Sequence, residues 1–509
     1  APSWGTPLTQ PGIAAATCAG PSKDLVGATI PPSAAYTFGL VDLRSPSLPD
    51  YGGCVSGAPL WNAPMFHHSS WNAKELGNVF GITLDARGNI YLAAHGLYGA
   101  YRPLHHRYGD IGGGAADLSA AGTIYKVDRL TSAVSVFAVV PGQQAMALSG
   151  GLVSGPGLGN VSYDAVNNQF FTTSLEDGKI YRINAGGTIV QTFDPLTADN
   201  SAVGLPPLRE RLWGIEVERG AVYYSVWNAG TTTNPGKIRR VNILPSGALN
   251  PGSDTEVLTI PGKTYAYHSV PIADLTFSND GRTMILGERS MLNPTYSYNH
   301  RSNTHIAELT GSTWAVTKTM ATGCNVPQGE AYGGVAYGNF AGNPEGTIWS
   351  TSADMRSGYG PHGLFGVRTA DFPTSGKAAN SWKVPYDPGY TDHYLNDLKG
   401  SGGDVEIVHD TRCANLQIGR IECPDEPRAP YETTLSITNL STNKALYAVL
   451  TPCPVGQLPS SATTGQPSPA GVITLPSPIG TGDTTTINIA IPWDAGDVFC
   501  FQVTLLTRD

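Results

Sequence analysis

The stretch VFGITLDARGNIYLAAHG, residues 79–96, alternates apolar and polar residues, turns at a segment containing glycine, and alternates again. Two short alternating runs around such a turn predict a β-hairpin. Related stretches recur along the chain: GNVSYDAVNNQFFTT (159–173), WGIEVERGAVYYSV (213–226), ADLTFSNDGRTMILGE (273–288), GGVAYGNFAGNPEGTIWSTS (333–352) and the shorter GDVEIVHD (403–410). The hairpin is therefore one unit of an internal repeat.

The first three repeats continue with two further apolar segments. The third segment is GTIYKVD (122–128), GKIYRINA (178–185) or GKIRRVNI (236–243), and the fourth is AVSVFAVVP (133–141), TIVQTFDP (188–195) or TEVLTIPG (255–262). Each repeat is thus a four-stranded meander, the unit of a β-propeller. The spacing exceeds the ~40–50 residues of common propeller blades, so we expect long loops.

The sequence predicts an all-β chain: a six-bladed β-propeller, with seven blades as the alternative, followed by a small β-sandwich. We expect AYTFGLVDLR (35–44) to close the ring against the last repeat. The predicted domains are an N-terminal extension with the closing strand (1–60), the propeller (61–423), the linker containing PDEPRAP (424–430) and an Ig-like sandwich (431–509).

Composition restricts the functional classes. Only 14% of residues are charged, the formal net charge is −9 and no basic cluster occurs, which argues against a nucleic-acid partner. No apolar run approaches the ~20 residues of a transmembrane helix. Seven cysteines without a C-x-x-C pair predict disulfides, hence a secreted or cell-surface protein, and their odd number leaves one thiol over. We expect one disulfide between Cys453 and Cys500 within the sandwich and another between Cys413 and Cys423 that closes a short segment. The first residue is Ala, which fits cleavage of a signal peptide after a small residue.

Aligning the repeats places one residue of each at the start of the innermost strand, facing the central channel. These residues alternate between glycine and a polar side chain: Gly81, Asn160, Gly214, Asp274, Gly334 and Asp404. Three oxygen-bearing side chains spaced evenly around a tube suit a hard cation such as calcium. The alternative is that Asn160, Asp274 and Asp404 line a channel that holds only water.

The hairpins of the GNIYLA and DGKIYRIN type, between residues 78 and 410, resemble the NHL and SMP-30/gluconolactonase-like propeller superfamily. That resemblance implies a metal held in the channel by Asp, Asn and Glu, and Asn160 and Asp274 match in type. The Glu of the first blade is absent, because Gly81 stands there, and Glu330 is the candidate substitute from the rim. In a calcium-dependent lactonase, Asp404 would be a third ligand or a general base and His268 an accessory base.

Trp213 and Tyr332 lie next to the predicted ring, where they could stack on a sugar or fill gaps between blades. The eleven histidines do not recur at equivalent positions, so copper chemistry is a weaker hypothesis. LSITNLST (435–442) resembles modules of bacterial surface proteins. The favoured function is an extracellular binding or assembly module whose partner is a second copy or a surface glycan or protein, and the alternative is the calcium-dependent hydrolase.

Overall fold

A computed structural model gives the architecture. It describes residues 1–18, 32–55, 58–95, 122–141, 145–148, 151–154, 157–196, 206–263, 269–293, 296–298, 300–324, 329–353, 355, 362–386, 402–408, 416–418, 431–439, 445–452, 472–479, 484–491 and 501–507. The chain divides into two compact units, residues 1–409 and 410–509.

The first unit is a six-bladed propeller of antiparallel sheets, so the predicted fold class and the preferred blade number are confirmed. From the innermost strand outwards, blade 1 contains Val79–Leu84, Ile90–Ala94, Thr123–Val127 and Val134–Val139. Blade 2 contains Leu158–Asp164, Gln169–Ser174, Ile180–Asn184 and Ile189–Phe193. Blade 3 contains Leu212–Glu218, Ala221–Val226, Lys237–Asn242 and Thr255–Thr259.

The later blades follow the same order. Blade 4 contains Ile272–Phe277, Thr283–Glu288, Thr304–Thr310 and Thr313–Met320, with Ser375–Gly376 added in parallel at its edge. Blade 5 contains Ala331–Phe340, Asn343–Ser352, Gly363–Arg368 and Trp382–Pro385. Blade 6 combines Gly402–Ile407 with Ile13–Cys18, Phe38–Asp42 and Met65–Phe66.

Blade 6 corrects the prediction for the closing strand. The direct partner of Gly402–Ile407 is Ile13–Cys18, with Ala15 opposite Glu406, and Phe38–Asp42 lies one strand further out. The segment IAAATC lacks the polar alternation of a surface strand because five of its six residues are buried. Its alanines are small enough for the narrow space between blades near the axis, so a run that resembles low-complexity sequence is a core strand.

Packing between blades explains why the second strands are buried on both faces. All five residues of Ile90–Ala94 and all six of Gln169–Ser174 are buried. The rings of Tyr91 and Phe170, from blades 1 and 2, have centroids 4.3 Å apart. Burial of this apolar surface is the main favourable contribution to stacking neighbouring blades.

The other elements of the first unit are short. They are the strand pairs Ala145–Leu148 with Gly151–Ser154 and Met291–Asn293 with Tyr296–Ser297, the 3-10 helices Pro32–Ala34, Leu48–Asp50, Pro251–Ser253 and Thr369–Asp371, and the α-helix Ala73–Leu76. The α-helix begins after Asn72, whose side chain accepts hydrogen bonds from Lys74 N and Glu75 N. No helix in the described part of the chain is long and apolar enough to cross a membrane.

A disulfide joins Cys54, in the N-terminal segment, to Cys324, which follows the outermost strand of blade 4. Cys18 is the one described cysteine without a disulfide. Cys413, Cys423, Cys453 and Cys500 lie outside the described residues, so their predicted bridges stay predictions.

The second unit has two three-stranded antiparallel sheets. One has the order Leu416–Ile418, Tyr431–Asn439, Thr484–Ile491, and the other Val472–Ile479, Ala445–Pro452, Phe501–Thr507. The predicted linker, 424–430, lies outside the described residues.

Candidate functional site

The three polar residues predicted to face the channel meet at the axis of the propeller. Asn160 lies on the innermost strand of blade 2, Asp274 on that of blade 4 and Asp404 on that of blade 6. The amide nitrogen Nδ2 of Asn160 donates to Asp274 Oδ1 at 3.0 Å and to Asp404 Oδ2 at 3.1 Å. All three side chains are buried. We call this set the axial triad.

Main-chain amides occupy the oxygens of the axial triad. The first oxygen, Oδ1, of each residue accepts from the N–H of the next residue in its own strand, at 2.7 Å for Asn160 and 2.8 Å for both aspartates. The second oxygen of each aspartate accepts from the following blade: Asp274 Oδ2 from Val335 N at 2.8 Å, and Asp404 Oδ2 from Ile82 N at 3.0 Å. The triad therefore ties together the backbones of several blades.

The carboxyl groups of Asp274 and Asp404 both contact the Asn160 amide and influence each other's pKa. Burial raises the pKa of both, and the negative charge of Asp274 raises the pKa of Asp404 further. Two buried carboxyl groups so close together cannot both ionise at low cost, so the pair keeps a proton to a higher pH than free aspartates do.

The glycines at the equivalent positions of blades 1, 3 and 5 make room for the triad. A Cβ on Gly81 would lie 2.4 Å from Asn160 Oδ1, and a Cβ on Gly334 would lie 2.6 Å from Asp404 Cα. Each glycine thus accepts the polar residue of the following blade against its bare backbone. The glycine–polar alternation in the sequence has this steric cause.

A second set of residues at the axis was missed by the sequence reasoning. Four hydroxyls on second strands connect neighbouring blades, and we call them the bridging hydroxyls: Thr17, Thr173, Ser225 and Thr351. Each accepts from the N–H of the axial position of its own blade, at 2.8–3.1 Å. Each also donates to a carbonyl of the next blade: Phe80 O, Trp213 O, Ile272 O and Gly403 O respectively.

The signal for these hydroxyls is present in the sequence. Each lies directly across the hairpin from the axial residue of its blade, since Val161 pairs with Thr172 and Val335 pairs with Ser350. Blades 1 and 4 have Ala93 and Gly287 at the equivalent place. A Cβ on Gly287 would lie 1.9 Å from Gly333 O, so blade 4 has no space for a hydroxyl side chain there.

Aromatic side chains fill the axis beside the axial triad. Phe80 and Trp213, each one residue before an axial glycine, have ring centroids 5.4 Å apart, and His95 lies 5.1 Å from Trp213. The His95 Nδ1 hydrogen bonds to Leu158 O at 2.8 Å, and burial lowers the pKa of this imidazole to about 3, so it is neutral. Trp213 is buried against Phe80 and His95, and its role in stacking on a ligand or filling gaps between blades stays a prediction.

The side chain of Arg289 lies next to these aromatic side chains at the axis. Its NH1 donates to Tyr332 O and Gly402 O, both at 2.6 Å, and its guanidinium lies 5.6 Å from the centroid of Phe80 and 5.8 Å from that of Tyr332. The Tyr332 hydroxyl is hydrogen bonded to His362 Nδ1 at 2.8 Å. Arg289 and Tyr332 thus connect blades 4, 5 and 6.

The remaining predicted site residues lie elsewhere. Glu330 is buried at the start of blade 5, where its Oε1 is 2.8 Å from Nδ1 of His300. His268 lies outside the described residues. No group of three or more His, Cys, Asp or Glu side chains that could hold a metal ion occurs in the described part of the chain.

The fit of the axial triad to a cation depends on Asn160. Its amide nitrogen, a donor, points at both carboxyl groups, while its oxygen accepts from Val161 N at 2.7 Å. A calcium ion between the carboxylates would require the amide to turn its oxygen inward. In the orientation observed, the donor set does not match a cation.

Known proteins resemble this chain only weakly. No family model matches this sequence, and no curated protein matches it. Among 319 matching chains of solved structures is one from a nidogen/laminin complex, with a TM-score of 0.36 and 10% identity, covering 77% of this chain and 97% of that chain. A candidate 6-phosphogluconolactonase from Bacteroides fragilis has a TM-score of 0.40 and 11% identity, covering 78% and 98%. The dihydro-heme d1 dehydrogenase NirN has a TM-score of 0.34 and 9% identity, covering 95% and 76%. Similarity at this level supports no inference about activity or partners.

Proposed function

We propose that this protein is an extracellular binding and assembly module whose propeller recognises a partner through its outer surface. The observation that carries the proposal is that the polar side chains at the axis are used in hydrogen bonds within the protein. All four carboxyl oxygens of Asp274 and Asp404 accept hydrogen bonds from the protein, and Asn160 donates to both residues. The carboxyl and amide groups that would bind substrate in an enzyme with a site in the channel connect neighbouring blades here.

Two further features support this function. The Cys54–Cys324 disulfide is typical of oxidising compartments outside the cytoplasm. The second unit, with two three-stranded antiparallel sheets, is compatible with the sandwich modules that the sequence resembles. In this proposal the second unit is the spacer and the propeller is the recognition head.

The test uses the purified full-length chain. Light scattering over a range of protein concentrations measures self-association, and surface plasmon resonance against immobilised polysaccharides and against the chain itself measures binding. We expect saturable binding to a glycan or to a second copy. A chain that stays monomeric and binds neither would overturn the proposal.

A calcium-dependent lactonase is the second candidate, favoured by one observation: two buried carboxyl groups and an amide converge at one point. If the Asn160 amide turned its oxygen towards the two carboxylates, these three residues would hold a calcium ion, which would polarise a lactone carbonyl. Calcium titration by calorimetry tests this function together with hydrolysis of simple lactones. Turnover that persists in the double variant Asp274→Asn, Asp404→Asn would exclude the axis as the site.

A further inference from the structure

A groove of about 370 Å³ opens on blade 3, away from the axial triad. It lies across three neighbouring strands, because Lys237 pairs with both Val226 and Thr259, and all three residues line it. Its volume falls within the ~300–1,000 Å³ of small-molecule sites. The question is which ligand chemistry it suits.

Asn228 is a buried residue in the wall of this groove. Its side chain is 1% exposed, and its Nδ2 donates to Pro235 O at 2.6 Å, which fixes the orientation of the amide. Asn228 and Pro235 both line the groove. The wall of the groove at this place is therefore held by a hydrogen bond within the protein.

Arg209 contributes an unused positive charge. It lines the groove and is exposed, and its guanidinium forms no hydrogen bond or ion pair with the protein in the described part of the chain. Its backbone has φ +87°, a left-handed conformation that glycine adopts more easily, and its N–H donates to Trp227 O at 2.9 Å. A large cationic residue thus occupies a position that backbone sterics would assign to glycine.

The other two cations of the groove are already paired. Lys237 Nζ lies 2.6 Å from Glu256 Oε2, and Arg239 NH2 lies 2.6 Å from Asp254 Oδ2. Among the cations that line the groove in the described part of the chain, Arg209 is the one without a carboxylate partner. A ligand with a negatively charged group would pair with it.

A hydroxyl-rich acid fits these features better than a peptide. The middle strand of the groove, Lys237–Asn242, is hydrogen bonded to strands on both sides, so an extended peptide cannot add to the sheet beside it. The remaining lining combines hydroxyl and amide side chains, Thr233, Asn234 and Thr259, with the apolar Val226 and Leu196. Sugar rings present the same mixture of hydroxyls and C–H faces.

We propose that the blade 3 groove binds an acidic sugar, a uronic-acid unit whose carboxylate pairs with Arg209 and whose hydroxyls contact the polar side chains of Thr233 and Asn234. This inference rests on the proposed binding function and names the ligand class and the surface that would carry it.

The probe is D-glucuronic acid, with D-glucose as the neutral control, measured by saturation-transfer NMR and calorimetry on the full chain. We expect glucuronate to bind in the ~mM range or tighter and glucose at least about tenfold more weakly. No transfer signal from glucuronate at about 10 mM would overturn the inference.

The decisive variant is Arg209→Gly. Glycine accepts the left-handed backbone, so the fold is preserved or stabilised, while glucuronate affinity falls about 10- to 100-fold through loss of a charge-assisted contact. Arg219→Gly is the matched control, because Arg219 also has a positive φ, 48°, and pairs with Glu218 away from the groove. Equal loss in both variants, or none in Arg209→Gly, would overturn the assignment.

Two outcomes separate this inference from the proposed function. If the chain binds a polysaccharide and Arg209→Gly binds it equally, the groove assignment is wrong and the binding function stands. If a glutamate-containing peptide displaces glucuronate and binds more tightly, the groove is a peptide site and the sugar assignment is wrong.

Discussion

The carboxyl groups of Asp274, on blade 4, and Asp404, on blade 6, meet at the axis of the propeller, where both accept a hydrogen bond from the same amide nitrogen. That nitrogen is Nδ2 of Asn160, which lies 3.0 Å from Asp274 Oδ1 and 3.1 Å from Asp404 Oδ2. One amide thus bridges two buried carboxyl groups that would otherwise repel each other.

Replacement of the amide by a carboxylate tests this arrangement. Asn160→Asp brings a third acid into the contact and removes both donated hydrogen bonds, so we expect a loss of about 3–5 kcal/mol in the free energy of unfolding at neutral pH. Urea unfolding at pH 7 measures it. Asn343→Asp, at the exposed first residue of the second strand of blade 5, is the control and should cost under about 0.5 kcal/mol. A stable Asn160→Asp variant at pH 7 would contradict the role of this amide as the donor to both carboxyl groups.

The aspartate pair also predicts the direction of a pH effect. The pKa of each carboxyl group is raised in the folded protein, so the folded state binds more protons than the unfolded state once the pH exceeds the unfolded value of about 4. The contribution of the pair to stability is therefore complete below about pH 4 and is lost as the pH rises through the folded values.

Asp404→Asn removes this dependence, so its stability relative to the wild type should rise steadily between about pH 4 and pH 8. Thermal unfolding across that range measures the difference. Asp50→Asn, outside the axis, should run parallel to the wild type. A difference that falls with pH for Asp404→Asn would show that the pair is not protonated in the folded state.

Removal of a single hydroxyl oxygen tests the contribution of the bridging hydroxyls to stability. Thr351→Val keeps the volume but leaves Gly334 N and Gly403 O without their hydrogen bonds, 3.0 and 2.7 Å in the native protein. We expect a cost of about 2 kcal/mol or more in the free energy of unfolding. Thr351→Ser restores the hydroxyl and should recover most of it. Equal losses in both variants would show that packing of the methyl group matters instead.

The axial glycines predict a steric effect. In Gly334→Ala the new Cβ would lie 2.6 Å from Asp404 Cα, a backbone atom that cannot move alone, so we expect a loss of about 3 kcal/mol. Gly252→Ala is the control, since its Cβ would approach Asn250 Oδ1 only to 3.6 Å. Chemical denaturation compares the two, and equal stabilities would contradict the close approach of blades 5 and 6.

The Cys54–Cys324 disulfide closes a long loop, because the two cysteines are 270 residues apart in sequence. We expect reduction, or the double variant Cys54→Ser, Cys324→Ser, to cost about 2–5 kcal/mol. Unfolding with and without reductant measures this. The double variant should no longer respond to reductant, and a persistent response would assign the effect to another bridge.

The sequence predicted the repeat, the blades and the axial residues because each follows from local alternation and a fixed register. It did not identify Ile13–Cys18 as the closing strand, since a strand buried on both faces carries no alternation. It placed Glu330 at the rim of a metal site, whereas this carboxylate lies beside His300. The blade 3 groove could not be predicted from the sequence either, because Arg209 and Asn228 come together only when the tertiary structure sets the positions of their loops.

The construction of blade 6 has a consequence for how the chain is made. Ile13–Cys18 is synthesised before the five other blades, and its partner Gly402–Ile407 follows them. Until then the edge of Ile13–Cys18 that pairs with Gly402–Ile407 is open, and an open strand edge is a site for mispairing with other chains. The last step of folding is therefore the meeting of the two ends of the propeller, and a nascent chain released before residue 407 cannot complete its ring.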